Sequence, residues 1–187
     1  MNDYERYVLQ GGTADAAPAP APAIVGAGGS GSVGGSGGTG ATGSSASVLQ
    51  LTNTDTTTNV NQTAFTDVPL GTALTIGSDF TQSGSGIVTG FTGHVELSAN
   101  IYMESTSQRP AVVCAFFKNG VDLGVRYNTS YIRAGSGHNE ASTACTPFVV
   151  ACSPSDVFTV RGQRDGNAGT VTMKSSGSSF FTAKRIN

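Results

Sequence analysis

Tryptophan is absent from this chain of 187 residues, and charged side chains make up 12% of it, about half the usual share. The first absence removes the flat indole that carbohydrate sites commonly use, leaving Tyr102, Tyr127 and Tyr131 as the aromatic candidates. The second leaves 10 Lys and Arg against 12 Asp and Glu, a net charge of -2, with the cations scattered along the chain. No basic cluster is present to neutralise phosphates, so nucleic acid is not an expected partner. Long apolar runs are missing too. Ala111 to Phe117 and Phe148 to Cys152 fall far short of the roughly 20 residues of a membrane-spanning helix, so no membrane insertion is expected. The beginning carries Asp3 and Glu5 beside Arg6 with no apolar stretch behind a basic flank, which argues against a secretory signal and for retention in the mature protein. Cys114, Cys145 and Cys152 form an odd set without CxxC spacing, each in or beside an apolar run. Buried thiols in a reducing compartment are the favoured reading, with a Cys145 to Cys152 bridge left open.

What is abundant is Gly, Ser and Thr, and their distribution divides the chain into three. Residues 1–15 hold an aromatic and charged tip, MNDYERYVLQ, in which Tyr4, Arg6, Tyr7, Val8 and Leu9 could grip a partner surface. Ten residues are too few to form a helix alone, because nucleation is costly, so order there must come from a partner. Residues 16–47 form a linker. Ala17 to Ala23, APAPAPA, favours an extended semi-rigid spacer. Gly26 to Gly43 has too little side chain to offset its ordering entropy. As a coil this linker would average roughly 30 Å end to end, with a limit of about 100 Å. Residues 48–187 have the composition of a single folded head.

The head reads as all-β. Short apolar alternations are separated by Gly, Ser, Asn and Asp clusters, and no segment keeps a helical period over three turns. In His94 to Met103, the residues Val95, Leu97, Ala99, Ile101 and Met103 share one face, and His94, Glu96, Ser98, Asn100 and Tyr102 the other. Asn119-Gly120 supplies the positive φ values of a tight hairpin between Phe117 and Val121, and Asp165-Gly166-Asn167 marks another turn. Further strands are expected at Ala73 to Ile76, Val121 to Tyr127, Phe148 to Cys152, Phe158 to Arg161, Thr170 to Lys174 and Ser179 to Ile186. Together they predict a β-sandwich of about eight to ten strands.

Ala111 to Phe117 and Phe148 to Cys152 are apolar on both sides, whereas a two-layer sandwich buries only one face of each sheet. Self-association is therefore expected, with Val113, Ala115, Phe117, Val149 and Ala151 at the interface between subunits. A helix or loop folded over the sheet is the rival cover.

From roughly Thr63 to Asn187 the chain resembles the trimeric jelly rolls of the C1q and tumour-necrosis-factor type, including versions on phage particles. The resemblance rests on GFTGHVELSANIYM (Gly90 to Met103), the Phe117-Lys118-Asn119-Gly120 hairpin, SDVFTV (Ser155 to Val160) and the closing SFFTAK (Ser179 to Lys184). Ser155 stands where the family usually has glycine, and His94 to Leu97 lacks the usual aromatic pair. The resemblance implies a jelly-roll β-sandwich head, trimeric about an apolar axis.

No catalytic constellation stands out. Neither His94 nor His138 adjoins a GxSxG elbow, His138 with Glu140 gives only two of the ligands a metal needs, and no DxDxDG loop is present. No enzyme activity, cofactor or metal is expected. The layout points to a head hung on a larger body, and together with the resemblance it implies a homotrimeric structural protein of the virion surface, made in the host cytoplasm. Its N-terminal peptide would dock on the major capsid protein or another virion component, as a capsid decoration or head fibre. The alternative is the receptor-binding tip of a tail fibre, which would place a host surface glycan or receptor against the loops from Tyr127 to Glu140.

Overall fold

In the computed structural model the described residues are 47–128, 131–133, 137–175 and 177–186. Tyr4, Arg6, Tyr7, Val8 and Leu9 lie outside them, as does the Ala/Pro/Gly/Ser linker up to residue 46. Twelve strands follow in order, with no helix among the described residues: β1 (Val48–Asn53), β2 (Thr66–Asp67), β3 (Leu70–Ile76), β4 (Phe80–Ser83), β5 (Gly86–Thr89), β6 (Gly93–Glu104), β7 (Val112–Lys118), β8 (Val121–Asn128), β9 (Glu140–Cys152), β10 (Val157–Arg164), β11 (Thr172–Met173) and β12 (Phe180–Ile186).

They form two antiparallel sheets. The first runs β9-β6-β12-β1-β3, with β11 beside β6 where β12 ends; the second runs β4-β5-β10-β7-β8, with β2 beside β10 past β5. The period-2 pattern of β6 is realised: Val95, Leu97, Ala99, Ile101 and Met103 are buried, and they meet Leu49, Leu51, Phe116, Phe158, Val160 and Phe181 in one core. A strand supplies inward residues at every second position, which is why such polar sequences as VLQLTN and FFTAKRI still build this core.

One turn has the predicted chemistry. Asn119 and Gly120 both take positive φ, 52° and 78°, closing the β7-β8 hairpin in the form that suits twisted strands. Ser155, at the position where glycine is usual in the resembled family, takes a φ of 71° and so bears the strain a glycine would avoid.

Strand β9 is longer than the apolar segment that announces it. Its register against β6 shifts between Leu97 and Ala99, leaving Thr146 and Pro147 in a bulge. Pro147 lacks a donor, and a bulge is where a sheet tolerates that. The shift lets Ala141, Thr143 and Cys145 face inward before it and Phe148, Val150 and Cys152 after it.

One expectation is corrected. Val113, Ala115 and Phe117, assigned to a subunit interface because β7 is apolar on both sides, are 8%, 0% and 5% exposed within a single chain. Their cover is the segment between β1 and β3, the loop alternative. The Phe65 ring sits 5.1 Å from Phe117 at 61°, the Arg161 guanidinium lies 4.6 Å over Phe117, and Arg126 lies 4.8 Å over Phe65. Asp67 takes a 2.6 Å bond from Arg161 Nε, and Asp122 takes one of 2.7 Å from Arg126 Nη1, fixing both cations over the rings. Backbone bonds from Val68 to Val160, Val60 to Val171 and Arg164 to Gln62 stitch this segment down. Gly162 lets the Val60 backbone approach closely, since a Cβ there would stand 3.1 Å from Val112 and 3.2 Å from the Val60 carbonyl.

Candidate functional site: the outward face of the first sheet

With the outer face of β7 covered, most of the exposed large apolar residues lie on the outward face of the first sheet, Val121 on β8 (68% exposed) and Tyr131 being the exceptions. Strand pairing places Ile76, Val48, Lys184, Glu96 and Val149 in one row across it, and Thr72, Thr52, Phe180, Asn100 and Ala144 in another. Leu74, Gln50, Thr182 and Ser98 lie between these rows. On this face Leu74 is 63% exposed, Ile76 60%, Val149 51% and Phe180 36%. Ala151, next to His94, is exposed as well. Of the five residues expected at an interface, the fold thus brings Val149 and Ala151 to this face and takes Val113, Ala115 and Phe117 away from it. Leu74, Ile76 and Phe180 were missed. The signal was present in Ala73 to Ile76 and Ser179 to Ile186, but alternation alone does not say which face of a strand is the inner one.

Charge falls at two places on this face. Within the row that runs from Ile76 to Val149, Lys184 stands opposite Glu96. At the second place, Lys174 Nζ lies 2.9 Å from Glu104 and 2.7 Å from Glu140, while the Tyr102 hydroxyl donates to Glu140. The hydrogen bonds from Lys174 and Tyr102 hold the Glu140 carboxyl below its usual range, and its partnership with Glu140 raises the Lys174 ammonium. Glu140 is therefore already engaged, and His138 beside it is exposed. Among the described residues no group of three or more His, Cys, Asp or Glu is arranged to hold a metal, and neither histidine bonds to a serine or a carboxylate.

The aspartates near turns serve the fold. Asp55 accepts four bonds from Thr57 and Thr58, which depress its carboxyl. Asp79 pairs with Arg185 at 3.0 Å. Asp156 is the hub of the β7-β8 end. It accepts from the Ser153 amide at 2.7 Å, Lys118 at 2.8 Å and Asn119 at 2.7 Å. Burial pushes the Asp156 carboxyl up, but these hydrogen bonds outweigh it and leave the group below its ordinary value. Tyr127, weighed for a receptor surface, instead turns toward the core: its ring lies 5.5 Å from Phe116 and its hydroxyl donates to the Thr146 carbonyl.

Cys114, Cys145 and Cys152 are unbridged and buried. The Cys145 thiol is pushed strongly up, first by its hydrogen bond with Cys114 across the sandwich and then by burial.

Two sheets of this order, with the chain crossing between them, define a jelly roll of the tumour-necrosis-factor type. Murine APRIL, in crystals at pH 8.5, superposes with a TM-score of 0.53 at 17% identity, over 76% of this chain and all of that one. Eiger TNF from S. frugiperda gives a TM-score of 0.50 at 14% identity, over 75% of this chain and 93% of its own. Identities this low establish shared architecture. No protein-family model matches the chain, and no curated protein matches it in sequence.

Proposed function

We propose that the chain is a structural display protein of a virion surface. Its heads associate as a homotrimer through the outward face of the first sheet, and its N-terminal peptide docks on the major capsid protein or another shell component. The observation that carries the association is the set Leu74, Ile76, Val149 and Phe180, open to solvent on a face whose mid-sheet charges, Lys184 and Glu96, stand opposite each other. Burying the exposed part of each would contribute on the order of 1 kcal/mol, which does not by itself offset the cost of association. The ground around them, the opposed Lys184 and Glu96 included, must be buried too, and a five-strand face has the extent for an interface of about 800 Å² per partner. A homotrimer is the arrangement implied by the resemblance in Gly90 to Met103 and Ser155 to Lys184.

The shell anchorage is supported by the layout of the sequence: an aromatic and charged tip of Tyr4, Arg6, Tyr7, Val8 and Leu9, then a Pro/Gly-rich spacer, then the head. The reading assigns binding and no catalysis to the chain.

Sedimentation of the full chain tests the association. The wild type should sediment as a trimer at micromolar concentration, and Leu74→Glu with Ile76→Glu as a folded monomer. A variant that remains trimeric would remove this face as the interface. For the anchor, heads lacking Met1 to Gln10 should stay trimeric and fail to co-sediment with particles, and retention on particles would count against it.

A further inference from the structure

One end of the sandwich carries positive charge that the fold does not use. Of the nine described Lys and Arg residues, Lys118, Arg126, Arg161, Lys174 and Arg185 are held in ion pairs. The other four make no ion pair among the described residues: Arg164 is half-buried and donates to the Asn61 carbonyl, Lys184 stands opposite Glu96 in register, and Arg109 and Arg133 are exposed. The last two are brought together by Ile132, which is buried and pins its segment to the loop before β7. The Arg109 amide donates to the Ile132 carbonyl at 3.0 Å, and the Ile132 amide to the Pro110 carbonyl at 2.9 Å. With Ile132 turned inward, its neighbours Tyr131 and Arg133 must face out. The turn after β10 completes the arrangement, as Asn167 donates its amide to the Arg109 carbonyl at 3.1 Å and its side chain to the Gln108 carbonyl at 3.2 Å.

Within this end, Arg133 is held in place by an aromatic residue. Its Nη2 and Nε donate to the Tyr131 hydroxyl at 2.9 and 3.3 Å, with the guanidinium carbon 5.6 Å from the ring centre. The Tyr131 ring remains 47% exposed. Arg109 adopts a φ of 54°, a left-handed conformation costly for a side-chain-bearing residue, on a loop tied at both sides. The Tyr131 phenol is lowered chiefly by its hydrogen bond from Arg133, then by the Arg133 charge, with a smaller contribution from Arg109.

We propose that this end of the head binds an acidic saccharide, with Arg109 and Arg133 taking a sugar carboxylate and the ring of Tyr131 lying against the apolar face of the sugar. A guanidinium offers a planar fork that matches a carboxylate, and one already oriented by a tyrosine hydroxyl loses less freedom on binding. Two cations on a chain of net charge -2 are too few to follow a nucleic-acid backbone, whereas one carboxylate per sugar needs no more than a pair. The site lies apart from the outward face of the first sheet and does not depend on where the N-terminal peptide docks. Repetition on three heads would add avidity to a weak single contact.

The test is biolayer interferometry of the full chain against immobilised oligogalacturonate, polysialic acid and alginate oligomers. Methyl-esterified oligogalacturonate serves as the uncharged control and poly(glycerol phosphate) as a ringless anion. The expected result is binding to at least one carboxylated saccharide, weakened by added salt and absent for the methyl ester. Arg133→Ala and Arg109→Ala should each lower that affinity about tenfold, as for the loss of a charged hydrogen-bond partner. Arg133→Lys should rescue only part, and Tyr131→Ala should lose binding while Tyr131→Phe retains some. Thermal melts unchanged from wild type would show that these exposed variants remain folded. The proposal is overturned if no carboxylated member binds, if the methyl ester binds equally, if poly(glycerol phosphate) is preferred, or if the arginine variants bind as wild type does.

Discussion

Replacing Phe65 by alanine would strip the cover from the outer face of β7 without touching the core. The ring contributes about 1 kcal/mol through its edge contact with Phe117, about 0.5–1 kcal/mol through Arg126, and about 1 kcal/mol through the apolar area it shields. A loss of about 2–3 kcal/mol is expected. With a urea dependence of about 2 kcal/mol/M, the unfolding midpoint should fall by about 1 M at a fixed protein concentration. Binding of a hydrophobic dye should rise as Val113, Ala115 and Phe117 lose their lid. Sedimentation of the variant under native conditions should still show the wild-type oligomer, because the face proposed for association is on the other sheet. Phe65→Leu should recover part of the midpoint by shielding the strand without the ring contacts. An unchanged midpoint in Phe65→Ala would refute the account of this segment as a cover. So would dissociation of the oligomer at unchanged stability, which would return β7 to the interface.

Two further outcomes follow from local geometry. Asp156 has a folded-state carboxyl below its unfolded value, so the stability it adds is complete above about pH 4 and disappears as the pH falls through the folded value. Asp156→Ala should therefore cost about 2–3 kcal/mol at pH 7, where Ser153, Lys118 and Asn119 lose their acceptor, and melts of variant and wild type should converge toward pH 2; a difference independent of pH would exclude the carboxylate as its source. Gly120→Ala should cost about 1 kcal/mol in denaturant unfolding from the positive φ alone, since no atom lies within 4 Å of the added Cβ, and no loss would mean that the turn relaxes freely.

Much of the fold was legible because β structure writes itself locally. The alternation in His94 to Met103 places every one of its inward residues in the core, and Asn119-Gly120 turns as its chemistry requires. Strands β1, β4 and β5 were not legible: VLQLTN, FTQS and GIVT are short enough to pass for loops, and their pairing makes them strands, β1 with β12 and β3, β5 with β10, and β4 with β5. The first half of β9 escaped notice for a related reason, because a bulge breaks the period on which recognition depends.

The sequence by itself determined an all-β head whose β7 has two faces to hide, since apolar residues at consecutive positions of a strand point to opposite sides. What hides the second face was decided by tertiary structure. Phe65 lies some fifty residues from Phe117 in sequence, and nothing in its local pattern marks it as a lid. The same holds for the other surfaces: Leu74 and Phe180 come to share one open sheet face, and the Arg109 backbone is bonded to Ile132 between Tyr131 and Arg133, only because segments pair across long separations. Periodicity is a property of a segment and survives in the sequence; adjacency between segments is a property of the folded chain.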